Sequence, residues 1–400
     1  MNSSRIQTFL EKISLFPWKK LCSQTQLAIV GVRSANKGAE IRRQILKQCP
    51  NTQIHMSTSC QGLMTEKGFD SRPDTVAVMT FSIENDSFGS AGGVLSKTIP
   101  ISQLTKKLLH TAELRAGRAG ELPSLVWISA SPGMEKEVLK SIQDYFTTSI
   151  PICGGSPADD NIQGEWWVGD QNDDYPQGIV ISLFYTLSEI ITHFSAGYQI
   201  GDPNLQGTIT SCASRNIATI NYRPAAQVYN EWSKGVFTPY VPQGNILQVS
   251  TFCPLAVPCG SIGDIPYYKV IHPSYLHDDG SISLFADVEQ GDQIVLLHGD
   301  EESLIGRGQR VSKRALEESG GPITDIQCAL IIFCAGCLLA IQDRMEEVWE
   351  GVTKELPNVP IITQFTFGEQ GVFPDGNHAH GNLMISVVLW KKPSLKSYIL

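Results

Sequence analysis

The chain has no unbroken apolar stretch of the ~20 residues that a membrane-spanning helix needs. Its longest apolar run, Ala329 to Phe333 continuing past Cys334, has the length of a core strand. No cluster of Lys and Arg occurs; Lys19-Lys20 and Lys106-Lys107 are isolated pairs in a chain of formal net charge -9 at pH 7. Phosphate neutralisation wants a basic face, so nucleic acid is excluded as a partner. There is no Gly-x-Ser-x-Gly elbow, Walker loop or His-Glu-x-x-His, and an enzyme is not expected. The glycine-rich Phe88-Gly-Ser-Ala-Gly-Gly93 lacks the strand-then-helix setting of a dinucleotide fingerprint. A signal peptide is missing too: the apolar stripe Ile6, Phe9, Leu10, Ile13, Leu15, Phe16 is broken by Glu11 and Lys12, with no small-residue cleavage site. Its near-helical spacing predicts an amphipathic helical extension over 1–26 of a cytoplasmic protein.

What is present is a 400-residue chain, 42% hydrophobic and 18% charged, long enough to bury two lobes. Ten cysteines (22, 49, 60, 153, 212, 253, 259, 328, 334, 337) are scattered, several in apolar runs, and reduced thiols are expected. Leu27 to Val32 reads as a strand, Ala39 to Lys47 as a helix and Gln53 to Met56 as a strand: a βαβ unit. Ser124–Ser129, Glu135–Phe146 and Ile150–Cys153 repeat that plan. A third unit runs from the Cys328 strand through a helix ending at Glu355 to the strand Pro360–Phe367. Between 162 and 327 the pattern changes to strands with Gly and Asp turns, plus a short helix opened by Pro224. The fold class is therefore α/β (mixed α+β), two tightly packed lobes, each a mixed sheet flanked by helices. The expected divisions are the extension 1–26, lobes 27–195 and 196–390, and a tail 391–400.

Four strand ends share small, polar and glycine residues: Ser57-Thr-Ser-Cys-Gln-Gly62, Gly154-Gly-Ser-Pro-Ala-Asp-Asp160, Cys334-Ala-Gly-Cys337 and Gly368-Glu-Gln-Gly371. The carboxyl ends of strands are where open α/β sheets place ligand crevices, although each turn alone is also an ordinary tight turn. With Pro224-Ala-Ala-Gln-Val-Tyr229, Cys253-Pro-Leu255 and Glu289-Gln-Gly-Asp-Gln-Ile-Val-Leu-Leu-His-Gly-Asp300, their order resembles the FIST sensory family from about Leu27 to Trp390. Cys337 stands where that family usually has Arg after Cys-x-Gly, and Gln61 where it favours an acidic residue.

The resemblance implies a small-ligand sensing or interaction module in signal transduction, passing its output to a separate signalling protein. It places the ligand, an amino acid among the options, on Ser59, Cys60, Gly62, Gly154, Gly155, Asp159, Asp160, Cys334, Gly336, Gly368, Glu369 and Gly371. Glu369 or Asp160 would pair with an ammonium group. Two other readings stay open. One is a haem-binding nitric-oxide sensor with His193 as axial ligand, weighed against His193 as a satisfied core residue. The other is a substrate-recruiting adaptor, for which residues 1–26 are too short to hold an F-box; beside these, a cysteine enzyme using Cys60 or Cys334 is the alternative to a chain without catalysis. Cys334-x-x-Cys337 reads as a redox pair, half a zinc site or two structural thiols. His378-Ala-His380 reads as a metal pair or a solvated loop.

Overall fold

The computed structural model describes residues 5–33, 35–262 and 265–393. Three βαβ units carry it, and all three have the same plan. Each unit has two parallel strands: Leu27–Val32 with Gln53–Thr58, Leu125–Ala130 with Ile152–Gly155, and Ile326–Cys334 with Ile361–Thr366. These runs of Val, Ile, Leu and Ala are almost wholly buried, as parallel strands covered on both faces must be. A helix crosses from each first strand to the second: Gly38–Gln48, Glu135–Phe146 and, in the third unit, Met345–Glu355. Beside each first strand lies an antiparallel one: Thr75–Ser82, Gly178–Tyr185 and Ile385–Lys391.

The units are locked together by exchanged hairpins. The pair Leu63–Thr65 and Gly68–Asp70 follows the first unit but joins the third unit's sheet at Ile361–Thr366. The pair Val168–Gly169 and Asp174–Tyr175 follows the second unit and joins the first at Gln53–Thr58. The pair Glu369–Val372 and His378–Gly381 follows the third unit and joins the second at Ile152–Gly155. Each unit thus completes another in a closed cycle, giving three six-stranded sheets with pseudo-threefold arrangement. At their meeting point stand Phe81, Phe184 and Trp390, each the penultimate residue of its antiparallel strand. Their ring centroids are 5.9, 5.6 and 5.1 Å apart.

A ten-stranded sheet is inserted between Gln199 and His298, with its own core of Ile209, Ile217, Tyr229, Phe237 and Leu255. The expected helix over 1–26 is not formed. Arg5–Lys12 is a strand paired along its whole length with Thr75–Ser82, followed by two short 3₁₀ turns. Ile6, Phe9 and Leu10 fit either period, and the open edge of Thr75–Ser82 decides by supplying backbone partners. Residues 1–4, and 394–400 of the expected tail, lie outside the described residues.

Candidate functional site

Because the hairpins are exchanged, strand ends from all three units meet, and the turns bond directly to one another. Cys60 N–H donates to Phe365 O (3.0 Å), Ala158 N–H to Thr58 O (3.1 Å) and Ser156 N–H to Gly368 O (2.7 Å). Phe365 N–H in turn donates to the Ser59 hydroxyl at 2.9 Å. Glycine is needed here for close packing of the turns. A Cβ on Gly154, whose φ is +155°, would lie 1.9 Å from Ile128 O. One on Gly368 would lie 2.5 Å from the His380 ring. Gly62, Gly155 and Gly371 are pressed in the same way against Phe69, Thr366 and Phe194.

Three of the four turns contribute to two separate cavities, and no residue of Gly368-Glu-Gln-Gly371 lines either one. The first, about 100 Å³, has mostly polar residues in its wall, among them Arg33, Thr58, Ser59, Asp159, Asp160 and Glu165. Asp160 is engaged by Arg33 at 2.9 Å and by the Gln61 backbone N–H, and Gln61 takes a positive φ of 49° to reach it. Asp159 accepts from Gln163 and Glu165 N–H groups (2.9 and 2.8 Å), leaving its Oδ1 without a partner in the protein. Cys60 lies behind, fully buried. Burial first, then the two aspartates, push its thiol up to about 12, so it stays neutral.

The second cavity, about 110 Å³, lies where the strand ends meet the inserted sheet. Pro132, Cys334, Gly336 and Phe367 come from the strand-end turns; Leu247, His272 and Phe285 come from the inserted region. Its walls are mostly apolar. Ile162 and Phe285 are both exposed and form its rim. Polar groups converge on it from different elements. Glu135, in the first turn of its helix and 1% exposed, accepts from the Ser156 hydroxyl (2.9 Å), Gly133 N–H (2.9 Å) and Arg215 Nη2 (3.0 Å). Burial alone would raise this carboxyl, but His380 and Arg215 outweigh it and hold Glu135 below its ordinary value. Burial also holds His380 low, so at neutral pH Arg215 supplies the counter-charge. Two residues of its lining, Trp166 and Asn382, carry a buried donor each, Nε1–H and Nδ2–H, with no partner in the protein. Such orphans cost roughly 1–3 kcal/mol each, so groups of this kind ordinarily find a partner. His272 is kept neutral by burial, at about 3, with its Nε2 against the Ser250 hydroxyl (2.9 Å).

Behind Cys334 lies a buried charged cluster. Arg307 is 0% exposed and donates through Nη1 to Cys337 Sγ at 2.9 Å. Cys337 stands where the resemblance led to an arginine being expected, and the arginine it meets is Arg307 of the helix Arg307–Glu318. Glu369 is also fully buried, and both its oxygens are used inside the protein, by the Thr366 hydroxyl (2.9 Å) and Met384 N–H (3.1 Å). Burial raises its carboxyl well above the ordinary range.

Of the expected site residues, Ser59, Asp159 and Asp160 line the first cavity, and Cys334 and Gly336 the second. Sequence reasoning missed Glu135, Trp166, Arg215, His272, Arg307 and Asn382. The strand–turn–helix at Ser131-Pro-Gly133 pointed near Glu135; nothing local marked the others. His193 does not fit an axial haem ligand. Its Nδ1 pairs with the Glu318 carboxylate at 2.9 Å on the strand Glu189–Ser195, and neither cavity includes it. His378 has both ring nitrogens engaged, by Gln143 (2.8 Å) and Ile150 O (2.6 Å). Among the described residues no group of three or more His, Cys, Asp or Glu is placed to hold a metal, and no helix is long and apolar enough to cross a membrane.

Comparison with known families matches residues 26–223 to the FIST N domain and residues 225–372 to the FIST C domain. No curated protein matches the chain.

Proposed function

We propose, from the premise that this chain belongs to the FIST family of signal-transduction sensory domains, that it senses a small molecule in the cavity between Glu135, Trp166, Cys334 and Asn382. The observation that carries this reading is the pair of orphaned donors, Trp166 Nε1–H and Asn382 Nδ2–H, in a mostly apolar enclosure that also holds a charged carboxylate. A cavity of about 110 Å³ suits a molecule near the size of one ring; an apolar cavity of ~150 Å³ accommodates benzene. An apolar amino acid meets these demands. Its carboxylate would take the two orphaned donors, its ammonium would approach Glu135, and its side chain would lie against Leu339, Phe285 and Phe367. The ligand is neutral overall, as the already paired Glu135 and Arg215 require. Glu135 lines this cavity, whereas Glu369 lines neither and Asp160 lines the other, so Glu135 takes the role first expected of them.

The test is a thermal-shift screen of the twenty amino acids on wild type, Trp166→Phe and Asn382→Asp. One or more apolar amino acids should raise the melting temperature of wild type, with the shift reduced in both variants. Failure of every amino acid to stabilise wild type, or equal shifts in the variants, would contradict this reading.

A further inference from the structure

The cluster behind Cys334 holds a chemistry that ligand sensing does not use. Arg307 is a buried cation with Nε and Nη2 unpartnered, and among the described residues no carboxylate lies within hydrogen-bond reach of it. Its guanidinium is stacked over Tyr198 (5.1 Å) and Phe333 (5.5 Å), and the one acceptor it meets is Cys337 Sγ. A buried cation needs an anion beside it, and the sulfur is the atom in place to be one. Cys334, which lines the cavity, caps the start of the helix Ala335–Ile341, and Cys337 stands in that helix's first turn three positions on. A thiolate within reach of a second thiol, with an access route for a small molecule, is the arrangement of an oxidisable pair.

We propose that Cys334 and Cys337 are a thiol modification site, converted to a disulfide by a small two-electron oxidant of the peroxide class entering through the cavity. Burial holds the Cys334 thiol well above its ordinary value, so it hands its proton to the Cys337 thiolate only as its sulfur attacks. Cys334 Sγ attacks hydrogen peroxide, the O–O bond breaks, Cys334 becomes a sulfenic acid and hydroxide leaves. Cys337 Sγ then attacks Cys334 Sγ; the S–S bond forms, the S–O bond breaks, and the departing oxygen leaves as water with Cys337's proton. Two sulfurs are oxidised and one peroxide is reduced to water and hydroxide. The groups facing Cys337 are Cys334, Arg307, Tyr198 and, further off, Glu369. Burial alone would raise Cys337, but the Cys334 hydrogen bond and Arg307 outweigh it and hold it down to about 6. Oxidation also removes the counter-charge from Arg307, so the disulfide form should be the less stable one. None of this depends on an amino acid occupying the cavity.

The test is peptide mass spectrometry of the full chain after graded hydrogen peroxide, with remaining thiols alkylated in denaturant. The expected result is loss of two hydrogens within the peptide holding Cys334 and Cys337, before the more accessible Cys22, Cys212 and Cys259 react. Cys337→Ser should leave a sulfenic acid at Cys334, trapped by dimedone. Arg307→Met should slow oxidation of the pair by about tenfold or more, and Arg307→Lys by less. Oxidation of the accessible thiols first, or both thiols still fully alkylated when those have reacted, would overturn the proposal. Site mapping on wild type decides the matter even if an Arg307 variant does not fold.

Discussion

Replacing Arg215 by alanine tests the electrostatics of the cavity wall. Arg215 stands in a hairpin of the inserted region and reaches Glu135 at 3.0 Å and Asp287 at 3.2 Å, joining that region to the second βαβ unit. Glu135 is 1% exposed, so the substitution strands a carboxylate in the interior. Removing one partner of a buried pair costs about 3–5 kcal/mol. Ser156 and Gly133 still serve Glu135, which favours the lower end, about 3 kcal/mol. The sign of the pH dependence follows from the carboxyl. In wild type Glu135 lies below its ordinary value and adds stability above that value, lost as pH falls through the folded one. In Arg215→Ala that counter-charge is lost and the carboxyl rises, so the variant is penalised at neutral pH and relieved as pH falls. Asp287, also depressed beside Arg215, and His380, which gains charge in acid, act in the same direction. Urea unfolding should therefore show a deficit of about 3 kcal/mol at neutral pH that shrinks toward pH 4.5. Adding Glu135→Gln should restore much of it. An equal deficit at both pH values, or one below about 1 kcal/mol at neutral pH, would refute the reasoning.

Other consequences follow from particular residues. His55 is fully buried between the Ser182 and Ser129 hydroxyls (2.8 and 2.9 Å), and burial lowers it to about 3. The unfolded chain takes up this proton first, so wild type should lose about 2 kcal/mol from His55 between pH 7 and pH 5. The deficit of His55→Gln in urea should be smaller by that amount at the lower pH. Trp390→Ala empties one corner of the triangle with Phe81 and Phe184 and should cost about 3–5 kcal/mol by urea unfolding. Gly154→Ala places a methyl 1.9 Å from Ile128 O in a left-handed conformation; circular dichroism should show loss of cooperative unfolding at the wild-type temperature.

The βαβ units were legible because their strands are continuous Val, Ile and Leu runs, and the helix Glu135–Phe146 begins and ends where the pattern puts it. The turns at 57–62, 154–160 and the end of Ile361–Thr366 bond to one another, but the two cavities draw on different turns rather than on all four together. The exchanged hairpins were not legible. Leu63–Thr65 and Glu369–Val372 are three- and four-residue strands, and no local signal tells a short strand which distant edge it will join. The same limit hid the cavity's chemistry. Arg215 reaches the cavity wall from the inserted region and Arg307 reaches Cys337 behind it from a later helix, so their roles exist only once those elements fold over the strand ends. The strand Arg5–Lys12 was misread because its apolar spacing serves both periods and only the partner edge separates them.

Native mass spectrometry of the purified full-length protein tests the central claim most directly. The prediction is a retained or titratable small apolar amino acid at one per chain, bound by wild type and released by Trp166→Phe or Asn382→Asp. Absence of binding when wild type is titrated with each amino acid, or equal occupancy in both variants, would contradict the assignment of the cavity.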